Sequence, residues 1–197
     1  MERLDLILGG EYGLATVVGL STEGYGIAST LVKNGVETII VDENLHMCME
    51  LTPEVVSSYV SVSSLLEEES LTGLELMDAS IARSKYVFFT PKIRRTDKEA
   101  KTEVNTRFRG TVKSISKDSI VVFCLPAGFG ENRSNISLIE NVSGFRSGED
   151  FEYVYAPLQP RSNTVQILGL EKTSRKVTEI FKRGGLKTPQ PVSFDKA

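Results

Sequence analysis

Between Ala15 and Asp42 the chain carries a pattern that few folds can accommodate. Ala15 to Leu20 (ATVVGL) is a short, β-branched apolar run broken by a glycine, and it reads as a buried strand. Ser21 to Gly26 supplies turn chemistry. Over Tyr25 to Asn34, apolar residues recur at Ile27, Ala28, Leu31 and Val32, the spacing of one helix face. Asn34-Gly35 is a helix stop, because both residues tolerate a left-handed cap. Thr38 to Val41 (TIIV) is a second buried strand, and it ends at Asp42. Strand, helix and strand of these lengths form a right-handed crossover unit, which requires a parallel sheet.

The alternation continues downstream. Tyr86 to Phe89 (YVFF) is a strand stopped by Pro91, which has no N–H to give a ladder. Asp97 to Ser116 is polar with Ala100, Val104, Phe108, Val112 and Ile115 on one face, a long amphipathic helix. Ile120 to Leu125 (IVVFCL) is the most apolar strand and is expected near the sheet centre. Pro126 to Gly130 makes a tight turn, Asn132 to Phe145 a helix, and Phe151 to Tyr155 and Val165 to Leu168 two more strands. Ser174 to Lys182 is a final helix with Val177, Ile180 and Phe181 inward, ended by Gly184-Gly185. The expected fold is α/β: a Rossmann-like three-layer arrangement, a mostly parallel sheet with helices on both faces.

The middle is less regular. Leu45 to Leu51 reads as a short helix interrupted by Thr52-Pro53, Tyr59 to Val62 as a short strand, and Ser64-x-x-Glu67 as a capping box. Glu67 to Glu69 reads as a solvated helix start. Residues 1–14 form an extension with a break at Gly9-Gly10, residues 15–185 the domain, and residues 186–197 a tail.

Composition narrows the function classes. With 197 residues the chain builds one core, not two full domains. A net charge of -3 argues against a nucleic-acid surface. Two cysteines, Cys48 and Cys124, do not make a disulfide framework, and Cys124 reads as a buried free thiol. One histidine, His46, leaves no metal cluster in sequence. No apolar run is long enough for a membrane span, so a cytoplasmic location without membrane contact is expected.

The first strand–helix turn, Gly19-Leu20-Ser21-Thr22-Glu23-Gly24-Tyr25-Gly26, carries the candidate chemistry. A GxGxxG turn uses its glycines for the tight turn, for close approach of a pyrophosphate and for helix–strand packing. The first and third stand here as Gly19 and Gly24, and the second is Ser21. Its Cβ narrows the approach of a diphosphate, while its hydroxyl is able to bond a phosphate oxygen. Glu23 puts negative charge where the helix dipole favours an anion. Asp42 lies about 20 residues on, where an acid bonds ribose hydroxyls. A degenerate nucleotide site and a glycine turn kept only for packing are both open. Lys92, Arg94 and Arg95 follow the strand end as possible anion ligands, although a solvated loop is the favoured reading.

Four blocks in order resemble the NAD-binding N-terminal domain of the UDP-glucose/GDP-mannose dehydrogenase family. They are VVGLSTEGYGIASTLVKNGVETIIVDEN, YVFFTP, IVVFCLPAGFGENR and GEDFEYVYAPLQPR, and they cover roughly residues 15–170. Phe89-Thr90-Pro91 stands where the family has Pro-Thr-Pro. The resemblance implies an NAD site at the carboxyl edge of the sheet, with Gly19, Ser21, Gly24 and Asp42 facing the cofactor. It places Thr90 and Pro91 near the nicotinamide half, with Pro126 and Gly128 close by. The departures are as informative. Phe123-Cys124 replaces the family's Ser-Thr, Ala127 replaces the second Pro of its turn, and Leu158 stands in place of a Glu linked to catalysis. A leucine takes no proton. The family's second domain, with its nucleophilic Cys, Lys and Asn, lies outside this sequence.

The implied cofactor is therefore NAD, held weakly or lost. No residue is assigned a catalytic or metal-binding role. The expected function is a nucleotide-binding or regulatory module, not a dehydrogenase by itself. Two alternatives stand beside it: an oxidoreductase component completed by a separate subunit, and a scaffold that binds no nucleotide. A protein partner or homo-oligomer is open in each.

Overall fold

The computed structural model describes residues 13–66, 77–93, 97–158 and 162–189. The expectations for residues 1–12, for Glu67 to Glu69, and for Arg94 and Arg95 lie outside these.

β1 (Ala15–Val18) runs through a turn into α1 (Thr22–Lys33) and on to β2 (Thr38–Asp42). β3 (Met47–Leu51), α2 (Pro53–Ser58), α3 (Val62–Leu65) and α4 (Met77–Arg83) lead to β4 (Tyr86–Phe89). Then follow α5 (Asp97–Val112), β5 (Ser119–Phe123), α6 (Glu131–Ser143), β6 (Phe151–Tyr155) and α7 (Glu171–Arg183). The six strands form one sheet in the order β3-β2-β1-β4-β5-β6. Every neighbouring pair is parallel except β2 with β3.

Strand alternation explains the three layers. Val17, Phe88 and Val122 point to one face and pack with Leu31 of α1 and Phe181 of α7. Val18, Phe89 and Phe123 point to the other, against Phe108 and Val112 of α5 and Ile139 of α6. There Phe89, Phe108 and Phe123 form a mutual ring cluster with centroids 4.9 to 5.5 Å apart. Burying Phe108 completely stabilises the α5 face by roughly 2–3 kcal/mol.

Register decides where the strands end. Val18 aligns with Val41 and Phe89, and Phe89 aligns with Phe123. Gly19, Asp42, Thr90 and Cys124 therefore emerge on one edge. The strand order reverses between β1 and β4, which opens a crevice there.

Five expectations change. Leu45 to Leu51 is not a helix. A one-turn 3-10 helix at Glu43–Leu45 and left-handed His46 (φ 48) reverse the chain, and Met47–Leu51 pairs antiparallel with β2. Edge pairing outweighs the helix propensity of Met and Leu. Tyr59 to Val62 is not a strand. Tyr59 caps α2 and Ser61 caps α3, so their N–H groups bond locally, to the Val55 carbonyl and the Ser64 hydroxyl. The capping box is Ser61 with Ser64, three residues earlier than expected: each side chain accepts from the other's N–H. Val165 to Leu168 makes isolated bridges only, Leu168 with Tyr155 and, beside it, Thr164 with Lys187. β5 is next to the edge strand, not central. It is the most apolar because helices bury both its faces. Its last residues, Cys124 and Leu125, lie just beyond the strand end.

Candidate functional site

The turn after β1 is built by contact with the end of β4. Gly19 has φ +108, and a Cβ there would lie 2.2 Å from the Pro91 Cα. A Cβ on Gly24 would lie 2.3 Å from the Thr90 Oγ1 and 2.5 Å from the Gly19 carbonyl. The Thr90 hydroxyl donates to the Gly19 carbonyl at 3.0 Å. Both glycines are thus required by the seam between β1 and β4, whatever the ligand.

Ser21 is the N-cap of α1, and its Oγ accepts from the Gly24 N–H at 2.9 Å. The missing glycine has become a capping residue, worth about 1 kcal/mol to the helix. The next two N–H groups, of Thr22 and Glu23, have no intrahelical partner by helix geometry. Both residues line a cleft of about 890 Å³ at the carboxyl edge of the sheet.

The floor of this cleft is apolar, from Pro91, Phe123, Leu125 and Leu158. Cys124 also lines it, but the residue is buried and burial pushes its thiol well above the usual cysteine range. It is a poor nucleophile there. The wall facing α1 comes from α5 and α6. Ala100 and Val104 continue the apolar stripe of α5 upward, and Asn105, Ser134 and Asn135 add polar groups. Asn135 donates to the Tyr153 hydroxyl at 3.1 Å, which donates to Asn132 Oδ1 at 2.9 Å.

Glu131 ties this wall together. Its Oε2 accepts from the Gly128 N–H at 2.6 Å, and its Oε1 lies 2.9 Å from the Lys101 ammonium. The Gly128 hydrogen bond first, and Lys101 second, hold the carboxyl below the usual glutamate range.

Asp42 is differently placed. It is only 4% exposed. Oδ2 accepts from the Leu20 N–H at 2.8 Å and Oδ1 from the Asn44 N–H at 2.9 Å. The Arg107 guanidinium, 7% exposed, reaches from α5 to 3.6 Å from Oδ1. Arg107 also bonds the Lys92 carbonyl at 3.4 Å and lies 3.9 Å from Glu103.

Of the residues expected at the site, Ser21, Thr90, Pro91, Lys92 and Pro126 line the cleft together. Gly19 and Gly24 lie in the seam. Asp42 and Gly128 are not among the lining residues. Sequence reasoning missed Lys101, Asn105, Glu131, Ser134 and Asn135. Helical spacing hints at them only as the polar flank of an amphipathic stripe. It also missed Arg107, for which no local signal exists.

The comparisons with known proteins bear on the fold. No family model matches the chain, and no curated protein matches it in sequence. Solved structures do match. UDP-D-ManNAc dehydrogenase from Pyrococcus horikoshii superimposes with a TM-score of 0.64 at 15% identity, over 93% of this chain and 48% of its own. GDP-mannose dehydrogenase from Pseudomonas aeruginosa gives 0.65 at 20% identity, over 91% of this chain and 45% of its own. NDP-N-acetyl-D-galactosaminuronic acid dehydrogenase from Methanosarcina mazei gives 0.64 at 15% identity, over 98% and 46%. The chain spans about half the length of each. It has the Rossmann-like fold of nucleotide-sugar dehydrogenases, in the part of those proteins that it covers.

Proposed function

We propose that this chain is a nucleotide-binding domain that acts as a binding or regulatory module. One observation carries the reading: a large cleft lies at the switch point of the sheet, with the open N-terminus of α1 on one side and an apolar floor beneath. A phosphate takes the Thr22 and Glu23 N–H groups, and a flat ring takes the floor. The NAD implied by the resemblance fits this half of the groove. Its adenosine half fits less well, because Asp42 is only 4% exposed, each of its oxygens accepts a backbone N–H and Arg107 stands 3.6 Å from Oδ1.

The chemistry on the cleft walls supports a module that binds without reacting. Leu158 lines the cleft and carries no proton-transferring group, and the Cys124 thiol is held neutral by burial. Calorimetric titration with NAD, NADH, NADP and a UDP-sugar tests the reading. Saturable binding by at least one, lost in Ala100→Trp, which fills the cleft from α5, is the expected result. No heat from any of them would leave a scaffold that binds no nucleotide.

A second reading, an oxidoreductase component completed by another polypeptide, is favoured by one feature. Phe129 is fully exposed in the loop whose ends, Pro126 and Glu131, line the cleft. A partner chain would cover it. Co-purification of a partner that is lost in Phe129→Ser would favour this reading.

A further inference from the structure

We infer that Arg107 closes the adenosine end of the groove from inside, so that this domain takes a mononucleotide and gains nothing from the second nucleotide of a dinucleotide. The inference rests on the nucleotide reading above and specifies its ligand class.

An acid at the end of the second strand holds a dinucleotide by accepting from the ribose hydroxyls. That needs acceptor positions open to the groove. Asp42 has two oxygens, and each already accepts a backbone N–H, from Leu20 and from Asn44. The second lone pair of each oxygen is shielded by burial: the Arg107 guanidinium stands 3.6 Å from Oδ1, an ion pair without a hydrogen bond, and only 4% of Asp42 stays exposed. A ribose diol would have to displace a buried guanidinium from Asp42 and leave it with Glu103, at 3.9 Å, as its counter-charge. That loss is larger than the gain from two hydroxyl contacts.

The space outside this lock does not replace the lost anchor. A second cavity, of about 650 Å³, is lined by Asn44, Lys98, Thr102, Glu103 and Arg107 among others, but not by Asp42. The Nε and Nη2 atoms of Arg107 make no hydrogen bond among the described residues. They do not form an anion site, because Asp42 and Glu103 surround the one guanidinium with two carboxylates. The main cleft keeps the N-terminus of α1, Lys92 and the apolar floor. That set matches one phosphate, one sugar and one ring.

The test compares nicotinamide mononucleotide, NAD and ADP-ribose on the whole chain by calorimetry. The expected result is nicotinamide mononucleotide and NAD binding within about threefold of each other, with ADP-ribose at least roughly tenfold weaker. In Arg107→Met, NAD should tighten about tenfold while the mononucleotide is unchanged, and Arg107→Lys should behave as the parent. If Arg107→Met does not fold, the ratio in the unaltered chain decides alone. NAD binding at least about tenfold tighter than the mononucleotide, with ADP-ribose as tight as NAD, would overturn the inference and leave the nucleotide reading standing. No binding by any of the three would overturn both.

Discussion

The ends of β2 and β5 emerge on the same edge of one sheet, yet one is sealed and the other open. At β2 the carboxylate of Asp42 is buried, accepting from the Leu20 and Asn44 N–H groups and ion-paired with Arg107. At β5 the chain leaves the strand at Phe123, and Cys124, Leu125 and Pro126 face a cleft. The two tips are made by similar strands in register. What separates them is the helix above: α5 lays a buried arginine over the first and presents Ala100, Val104 and Asn105 across from the second. A fold positions a site, and residues from a distant element decide whether it is open.

The comparison is broken most severely at the seam between its halves. Gly19→Ala would drive a Cβ to 2.2 Å from the Pro91 Cα at φ +108, and should cost about 4 kcal/mol in urea unfolding. Asp42→Asn comes next. An amide nitrogen cannot accept one of the two backbone N–H groups, and Arg107 loses a partner, so a loss of about 3 kcal/mol is expected. An unchanged midpoint would show that the β2 tip is not sealed as described.

A sharper contrast lies within α1. Gly24→Ala should cost about 2 kcal/mol because the Thr90 hydroxyl and the Gly19 carbonyl must give way. Gly26→Ala, two residues on, meets nothing within 4 Å and should raise stability by about 0.5–1 kcal/mol. Equal effects at the two positions would refute the seam.

The smallest effect concerns the open side. The Glu131 carboxyl titrates below its ordinary value of 4.5 in the folded chain. Its contribution is therefore present above that pH and is lost as the pH falls below it. Glu131 is partly exposed, so the size is a few tenths of a kcal/mol. Glu131→Gln should lower stability by a few tenths of a kcal/mol at neutral pH, leave it nearly unchanged at low pH, and so flatten the acid side of a stability–pH curve.

Much of the fold was legible because it is written in local periods. Val17/Val18, Phe88/Phe89 and Val122/Phe123 are double-sided strands, and the Ile27–Val32 stripe is a helix face at any level of context. β3 was not legible, since Met47–Leu51 becomes a strand only by pairing with β2. In the site, the glycine turn and Asp42 were visible, but their state was not. Ser21 reads equally as a phosphate ligand or a cap until the Gly24 N–H is found on its Oγ. Asp42 reads as a ribose acceptor until Arg107, distant in sequence, is placed beside it.

The most direct test is a titration of the ¹⁵N-labelled chain with NAD, followed by amide NMR shifts. The account predicts saturable shifts at Thr22, Glu23, Leu125 and Ala127, around the open cleft, and none at Asn44, Thr102 and Thr106. Saturable shifts centred on Asn44, Thr102 and Thr106, or no saturable shift at all, would contradict it.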